Sequence, residues 1–537
     1  MLIRLAPTLV AAGIALRLWQ YFARSALWTD EATIANNIVD RSLKELITAP
    51  LGHNQAAPVG FLFFEKLAAM TLGPHELALR AYPLLSSILA LVLLWRVAKR
   101  LLPAPSIPIV LAPFAFSPLL IFHAAEVKQY SSDVAISIAL LLVTLEVSDV
   151  DAIEPLPRWR IVLAAATGAL AVWLSQPAVL VVAGLGVALA LGALGARGQR
   201  RARQGTQLAF IVGAWAVSAL AATIVSLHHL TPNAHRFMST FWSDGFWPLS
   251  LRHPSSVAWP LPHIALLLGS QLGLPTSIGL ACALLSAVGI VATWRSGWRT
   301  SLVLVMPLVI ALGASAAALY PFAERLALFL VPSLLLLTAI GVTEIAASVR
   351  LKSGASIVMA MATIFVLVVE AQALYAAPPA YRREEITPAI AYLRRASRAP
   401  DASYIYYGAE PAYAFYNARD ALPARATMGG CHRGDSHAYL AELDRFRGRS
   451  RVWLLFAHEL PRLHEREMML AHLDSLGSAR DSMTVKGRDA SGNSTYVRLY
   501  LYDLAASPPI DRTVARANPD SPSAVIEPRL QCAPPGE

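Results

Sequence analysis

Charge is scarce in this chain. Only 15% of its 537 residues are Asp, Glu, Lys or Arg, against about 25% in an average soluble domain. Apolar residues fill the deficit at 56%, and the mean hydropathy is +0.50. These values exclude an ordinary soluble globular protein. They point to an integral membrane protein with length left over for a soluble domain. Cysteine is scarcer still. Only three occur, with no C-x-x-C or other zinc spacing. Cys282 lies in an apolar segment, while Cys431 and Cys532 lie toward the C-terminus. The last two admit either one disulfide or two free thiols. The chain also lacks a G-x-x-x-x-G-K-[ST] loop, a G-x-S-x-G elbow and an H-E-x-x-H helix. His464-Glu465 is followed by Arg466, Glu467 and Met468, so the second histidine is missing.

What is present is a series of long apolar runs. A membrane span needs roughly 20 such residues. About eleven candidates centre near Gly13, Ala90, Pro113, Leu140, Thr167, Gly186, Val217, Ala287, Pro307, Thr338 and Phe365. The first run has no convincing small-x-small cleavage site before Trp28, so it reads as a retained span rather than a signal peptide. Arg17 interrupts it, either snorkelling to the interface or facing the bundle interior. The net charge of +10 invites a nucleic-acid partner, but the basic residues argue otherwise. One set of alternate connections carries 14 of them: Arg4; Arg96, Lys99 and Arg100; Arg158 and Arg160; Arg197, Arg200, Arg201 and Arg203; Arg295 and Arg299; Arg350 and Lys352. The short connections of the other set carry only Lys128 and Arg325. By the positive-inside rule the N-terminus is cytoplasmic, and an odd number of spans puts the C-terminus outside.

This topology sends three polar clusters, remote in sequence, to one outer face. The first is Trp28-Thr29-Asp30-Glu31, opening a long loop that runs to about Glu76. The second is Glu126-Val127-Lys128-Gln129-Tyr130. The third is Tyr320-Pro321-Phe322-Ala323-Glu324-Arg325. A further outer loop, from His228 to about His263, holds five His and three Trp. It suits metal binding, sugar stacking or headgroup-level anchoring. In the first loop, Ile34, Ile38, Leu43, Leu46 and Ile47 form an approximate helical stripe. Phe61 through Met70 is apolar but short. Both read as helices lying in the interface plane, with the polar turn Gly52–Pro58 between them. After about Tyr375 the composition turns polar. Ile386–Arg395 and Leu460–Leu476 read as helices. Ser403–Tyr407, Arg451–Phe456 and Thr495–Asp503 read as strands. The expected organisation is a transmembrane domain over 1–376, an α/β domain over 377–506, and a Pro-rich disordered tail over 507–537.

The three polar clusters carry a family resemblance. Trp28-Thr29-Asp30-Glu31 after the first span is similar to the acidic motif of the GT-C superfamily of polyprenyl-phosphate-sugar-dependent glycosyltransferases. Ala125-Glu126-Val127-Lys128-Gln129-Tyr130 resembles its bacterial Q-E-A-R-x-Y pattern, with Ala125 in place of Gln and Lys128 in place of Arg. Gln55-Ala56-Ala57-Pro58-Val59-Gly60-Phe61-Leu62 resembles the Pro-containing stretch that opens the second interfacial helix. The likeness is greatest to the protein O-mannosyltransferase and aminoarabinose transferase branch. It covers roughly 1–375. The implied fold is a polytopic helical bundle with interfacial helices and an outer α/β domain. The implied location is a bacterial inner membrane, with the C-terminal domain periplasmic or extracellular.

The implied reaction moves a sugar, with inversion, from a lipid phosphate to a hydroxyl or phosphate acceptor. Asp30 matches the catalytic base, and such catalysis is worth roughly 10²–10⁴-fold. The leaving lipid phosphate needs cations. Lys128 and Arg325 are the candidates, with Tyr130 and Tyr320 beside them. Glu31, Glu126, His53 and Gln55 are candidates for supporting an acceptor or a metal. Each has a plainer reading: Glu31 as a helix-start charge, Lys128 as the partner of Glu126, Arg325 as a span-end anchor, His53 as an exposed loop residue. A divalent metal is left open as a cofactor, and no other is expected. Expected partners are the lipid-linked sugar donor, a glycan, glycolipid or protein acceptor, and membrane lipid, but not nucleic acid. A transporter or flippase would carry ionisable residues near span centres or interrupted repeats. A non-catalytic envelope-assembly protein would not need the acidic pair.

Overall fold

In the computed structural model the described residues are 2–148, 156–194, 199–250, 254–349, 354–418, 425–508 and 532. The expected tail therefore lies almost wholly outside the described residues, as do Arg197, Arg350 and Lys352 of the basic loops.

The first half of the helical part runs α1 (Leu2–Phe22), α2 (Thr29–Asp40), α3 (Leu43–Thr48), α4 (Val59–Leu72), α5 (Glu76–Leu101), α6 (Ile107–Phe116), α7 (Pro118–His123), α8 (Tyr130–Val147), α9 (Arg158–Leu174) and α10 (Ala178–Leu194). It continues with α11 (Gln199–His229), α12 (Pro232–Phe241), α13 (Pro254–Ala258), α14 (Pro260–Leu272), α15 (Thr276–Ala316), α16 (Val331–Ser348) and α17 (Gly354–Ala376). Six helices among the described residues are long and apolar enough to cross a membrane, and Ala104–Phe116 and Ala178–Leu194 are shorter apolar helices. Every centre expected from the sequence falls inside a helix. Two of them, Ala287 and Pro307, share α15, which breaks at Gly297 (φ −173°, ψ 82°). The chain folds back there. Ser301 Oγ donates to Ile290 O at 3.4 Å, whereas eleven residues of continuous helix would span about 16 Å.

Three local departures have clear physical reasons. The apolar stripe from Asp30 to Ile47 is not one helix. Ser42 caps α3 in a capping box with Glu45, which restarts the helix after Arg41. Next, α14 lies where the sequence reads only an outer loop. Pro260, Pro262 and Gln271 break up its apolar run, and 13 residues are too few for a span. Arg17 turns inward and is fully buried. It donates to Ser87 Oγ at 2.8 Å, to Gly13 O and Ala115 O at 3.0 Å, and to Phe114 O at 2.9 Å. It thus satisfies carbonyls left open where α6 ends before Pro118.

The C-terminal part contains α18 (Thr387–Ala396), β1 (Ala402–Ile405), α19 (Glu410–Asn417), β2 (Arg425–Met428), α20 (Ser436–Asp444), β3 (Val452–Phe456), α21 (Glu465–Leu476), β4 (Ser478–Arg488) and β5 (Ser494–Asp503). The sheet order is β2-β1-β3-β5-β4. β1 pairs parallel with both β2 and β3, while β5 pairs antiparallel with β3 and β4. The helix expected from Leu460 begins at Glu465, after a 3₁₀ turn and a left-handed His464. Cys431 and Cys532 are joined in a disulfide. One face of the sheet, with Tyr404, Tyr406, Leu454 and Phe456, packs with Leu443 of α20 and with Met469 and Leu473 of α21. On the other face Ile405, Trp453, Leu455 and Leu499 belong to one apolar cluster with Ile390 of α18, Ala412 of α19, Ile34 and Ile38 of α2, and Phe61 of α4. The sheet and the first interfacial helices therefore share a core, which fixes α2 against the C-terminal part.

Candidate functional site

The site grows from the first turn of α2. Trp28 precedes the helix without a side-chain cap; the C-terminal part meets Thr29 N through Glu384 Oε2 at 3.5 Å and also holds the approach to the helix. Ala26 N donates to Glu385 Oε1 at 2.8 Å and Leu27 N to Tyr416 Oη at 2.9 Å. Thr29 Oγ1 donates to Gly408 O at 2.6 Å and reaches Glu384 Oε2 at 3.5 Å. Gly408 follows β1, and His458 follows β3. These two parallel strands are the neighbours from which the chain crosses to opposite sides of the sheet, from β1 to β2 at one edge and from β3 to β4 at the other. The C-terminal edge at such a point is where open α/β sheets offer a crevice. Here the start of α2 occupies it.

Two adjacent carboxylates then diverge. Glu31 points into the bundle, where Oε1 accepts from Arg80 Nε at 2.9 Å and from Val127 N at 2.8 Å, and Oε2 from Arg80 Nη2 at 2.7 Å. Asp30 turns the other way. Its Oδ1 lies 3.0 Å from Lys128 Nζ, and its Oδ2 lies 3.3 Å from Arg325 Nη2. Burial pushes the Asp30 carboxyl up, but Lys128 and then Arg325 outweigh it and hold it far below the usual carboxylate range.

The three remote clusters thus meet around one carboxylate. Lys128 also donates to Gln55 Oε1 at 2.8 Å. Arg325 opens a seven-residue 3₁₀ segment, Glu324–Leu330, just after the left-handed φ of 36° at Glu324. Its guanidinium lies 5.5 Å from the Tyr130 ring centre and 5.6 Å from that of Trp242, within cation–π range. Glu126 pairs with His123 Nδ1 at 2.6 Å rather than with Lys128. Burial raises its carboxyl, but the His123 hydrogen bond and charge hold it below its ordinary value. Tyr320 spends its hydroxyl on Leu326 O at 2.9 Å, which ties it to the 3₁₀ segment rather than to the cations. His53 is exposed with a left-handed φ of 57°. In the His- and Trp-rich loop, Trp247, Trp259 and His263 form a stack, and Trp242 alone reaches Arg325.

Several partners were not legible in the sequence: Arg80, His123, Trp242 and a group from the C-terminal part. His458 Nδ1 lies 2.9 Å from Glu384 Oε1, and the Arg383 guanidinium sits 3.7 Å over the Trp28 ring. Burial raises the Glu384 carboxyl, but His458, Arg383 and the Thr29 amide bring it below its ordinary value. Arg80 sits within the run read as a span, and Glu384 and His458 lie more than 350 residues from Asp30, so only the fold connects them.

Beside Gln55 is a small open depression whose lining mixes Leu51, Val59 and Leu62 with Gln176 and His229. The site does not fit a divalent cation. Asp30 faces two cations, Glu31 is taken by Arg80 and Val127 N, and Glu126 by His123. No group of three or more His, Cys, Asp or Glu among the described residues could hold a metal.

No protein-family model matches the chain, and no curated protein does. Solved structures do. ArnT of Cupriavidus metallidurans, in a crystal structure bound to undecaprenyl phosphate, is 13% identical over 94% of this chain and 99% of that one, with a TM-score of 0.50. The Archaeoglobus fulgidus oligosaccharyltransferase, in a complex with Zn and sulfate, is 11% identical over 92% of this chain and 73% of that one, with a TM-score of 0.47. The likeness to ArnT, an aminoarabinose transferase of the GT-C superfamily, establishes the GT-C fold: a polytopic membrane bundle with a C-terminal domain.

Proposed function

We propose that this chain of GT-C fold is a membrane glycosyltransferase that moves a sugar from a polyprenyl-phosphate donor to an acceptor. The carrying observation is the meeting of Lys128 and Arg325, nearly two hundred residues apart, on the Asp30 carboxylate at 3.0 and 3.3 Å. A cation pair beside a candidate base is what phosphate departure requires. The apolar side chains of Leu51, Val59 and Leu62 close to Gln55 support a donor with an apolar body. So does the undecaprenyl phosphate named for ArnT.

In this reading the donor phosphate takes Lys128 and Arg325. The acceptor oxygen attacks the anomeric carbon from the opposite face, and its proton passes to Asp30. The bond from the anomeric carbon to the phosphate oxygen breaks, with the electron pair leaving on the phosphate, so the configuration inverts. The developing charge meets cations already oriented, the kind of stabilisation that dominates many enzymes. Tyr130 and Trp242 fix the guanidinium by stacking. Glu31 and Glu126 act by position, one holding Arg80 and the Val127 amide, the other His123. Gln55 aligns Lys128, and His53 belongs to the rim on the acceptor side. The sugar is a hexose or pentose, and the acceptor a glycan, glycolipid or protein. The enzyme sits in a bacterial inner membrane with its N-terminus cytoplasmic and its site and C-terminal domain outside. No step is derived through a metal.

The test is reconstitution of the full chain in lipid vesicles with a panel of radiolabelled polyprenyl-phosphate hexoses and pentoses, following release or transfer of sugar. At least one donor should turn over in wild type and not in Asp30→Asn. Equal turnover by the two would remove the assigned base, and no turnover of any donor would count against the lipid-phosphate class.

A further inference from the structure

In the structure, Asp30 stands where the proposed reaction needs Lys128 and Arg325 to be free. Each carboxylate oxygen takes one cation, Oδ1 the ammonium and Oδ2 the guanidinium. Lys128 is buried and Arg325 half-buried; two cations held this close together partly out of water need an anion, and Asp30 is the carboxylate that neutralises both. The contact with Arg325 is loose. At 3.3 Å it is longer than the roughly 2.7–2.9 Å of a strong charge-assisted bond. The buried Arg325 Nε has no hydrogen-bond partner. A guanidinium fork is built for two parallel bonds to one anion, and here one prong is idle. Lys128 directs its ammonium at Asp30 and Gln55, and a third proton is open for another acceptor. Both cations therefore have capacity for a larger anion with more oxygens than a carboxylate.

We propose that Asp30 is an internal stand-in for the donor phosphate: until a donor binds it occupies both cations and is kept from acting as a base, and the arriving phosphodiester displaces it and thereby frees it. This rests on the phosphate-site reading above and adds to it an order of events. A carboxylate flanked by two cations is a poor proton acceptor, as the downward shift at Asp30 reflects, because basicity needs to lie near the working pH. Once phosphate oxygens draw Lys128 and Arg325 away, the same carboxylate loses its counter-charges and gains an anionic neighbour. Both changes raise its affinity for a proton. The base is thus switched on by the donor, and an acceptor hydroxyl that arrives ahead of the donor finds no proton acceptor.

The competition is measurable without knowing the sugar or the acceptor. Undecaprenyl phosphate, the leaving group of the proposed reaction, which presents the same phosphate to the two cations, is the probe, titrated into the full chain in nanodiscs. Asp30→Asn removes the competing charge and keeps the shape, so it should bind the probe about tenfold more tightly than wild type, because the binding-competent state is no longer the minor one. Asp30→Ser is the second variant, with the same expectation should Asn disturb folding. Lys128→Gln and Arg325→Gln should weaken binding at least tenfold. Unchanged or weaker binding in both Asp30 variants, with the Lys128 and Arg325 variants still impaired, would overturn the stand-in role and leave the phosphate site standing. Wild-type affinity in the Lys128 and Arg325 variants would instead remove the phosphate site itself.

Discussion

Glu31 and Arg80 form a two-pronged ion pair, Nε to Oε1 at 2.9 Å and Nη2 to Oε2 at 2.7 Å, with both side chains almost wholly buried. Arg80 also donates to Ser25 O at 2.7 Å and Ala26 O at 3.2 Å. It therefore grips both the approach to α2 and its first turn, and Glu31 in turn receives Val127 N one residue before Lys128. One ion pair registers the two segments that carry Asp30 and Lys128. Removing one partner of a buried pair costs about 3–5 kcal/mol because the other charge is stranded. Arg80→Ala should destabilise the fold in detergent by an amount of that order, read as a lower unfolding midpoint. Arg80→Lys should recover only part of it, because an ammonium cannot reproduce the fork. An Arg80→Ala protein as stable as wild type would show that the pair does not hold the site together.

Lys128 and Arg325 should differ in how they fail. Lys128 is a point charge shared between Asp30 and Gln55, so Lys128→Gln should raise the KM for donor more than that for acceptor. Arg325 is a planar group between Tyr130 and Trp242. Arg325→Lys keeps the charge but loses the stacking and the fork, and should cost roughly tenfold or more in donor kcat/KM. If Arg325 only anchors its segment, lysine will serve as well, and unchanged donor kinetics in that variant would say so.

Much of the membrane part was legible in the sequence, for a simple reason. Charges are expensive in hydrocarbon, so Asp30, Glu31, Lys128 and Arg325 stand out beside apolar runs, and loop arginines mark their ends. Counting spans put the three remote clusters on one face; that they meet around Asp30 is what the fold adds. What was illegible depends on tertiary partners. Glu126 sits two residues from Lys128, yet its partner is His123. The break after Arg41 was encoded in Ser42-x-x-Glu45, but the apolar stripe runs on through it. β4 was missed because Ser478–Arg488 is an edge strand whose covered face, Asp481, Met483, Val485 and Gly487, carries only two apolar side chains, too few to read as an alternation. Glu384 and His458 carry no local signal, since their role comes from where the sheet edge meets α2.

The joint between the sheet and α2 should be acid-sensitive. Glu384 receives Thr29 and His458, and its folded-state carboxyl lies below its ordinary value. A carboxylate with a depressed folded value stabilises the fold above its unfolded value, about 4.3, and that contribution disappears as the pH falls through the folded one. The unfolding midpoint of wild type should therefore drop between about pH 5 and pH 3. Glu384→Gln should be less stable at neutral pH and show a shallower acid loss. A variant with the same acid slope as wild type would place the sensitivity elsewhere.

The topology read from loop charges has its own check. Reporter fusions after Arg203 and after Tyr375 should report opposite sides of the membrane, the first cytoplasmic and the second outside. Two fusions on the same side would refute that topology.

The most direct test of the central claim is mass spectrometry of envelope glycolipids and glycans from a strain deleted for this protein and complemented with either wild type or Asp30→Asn. The account predicts that one hexose or pentose increment disappears on deletion and returns with wild type. It should stay absent with Asp30→Asn even though the variant accumulates in the membrane, since losing a base costs roughly 10²–10⁴-fold in rate. Identical profiles in all three strains, or full restoration by the Asn variant, would contradict it.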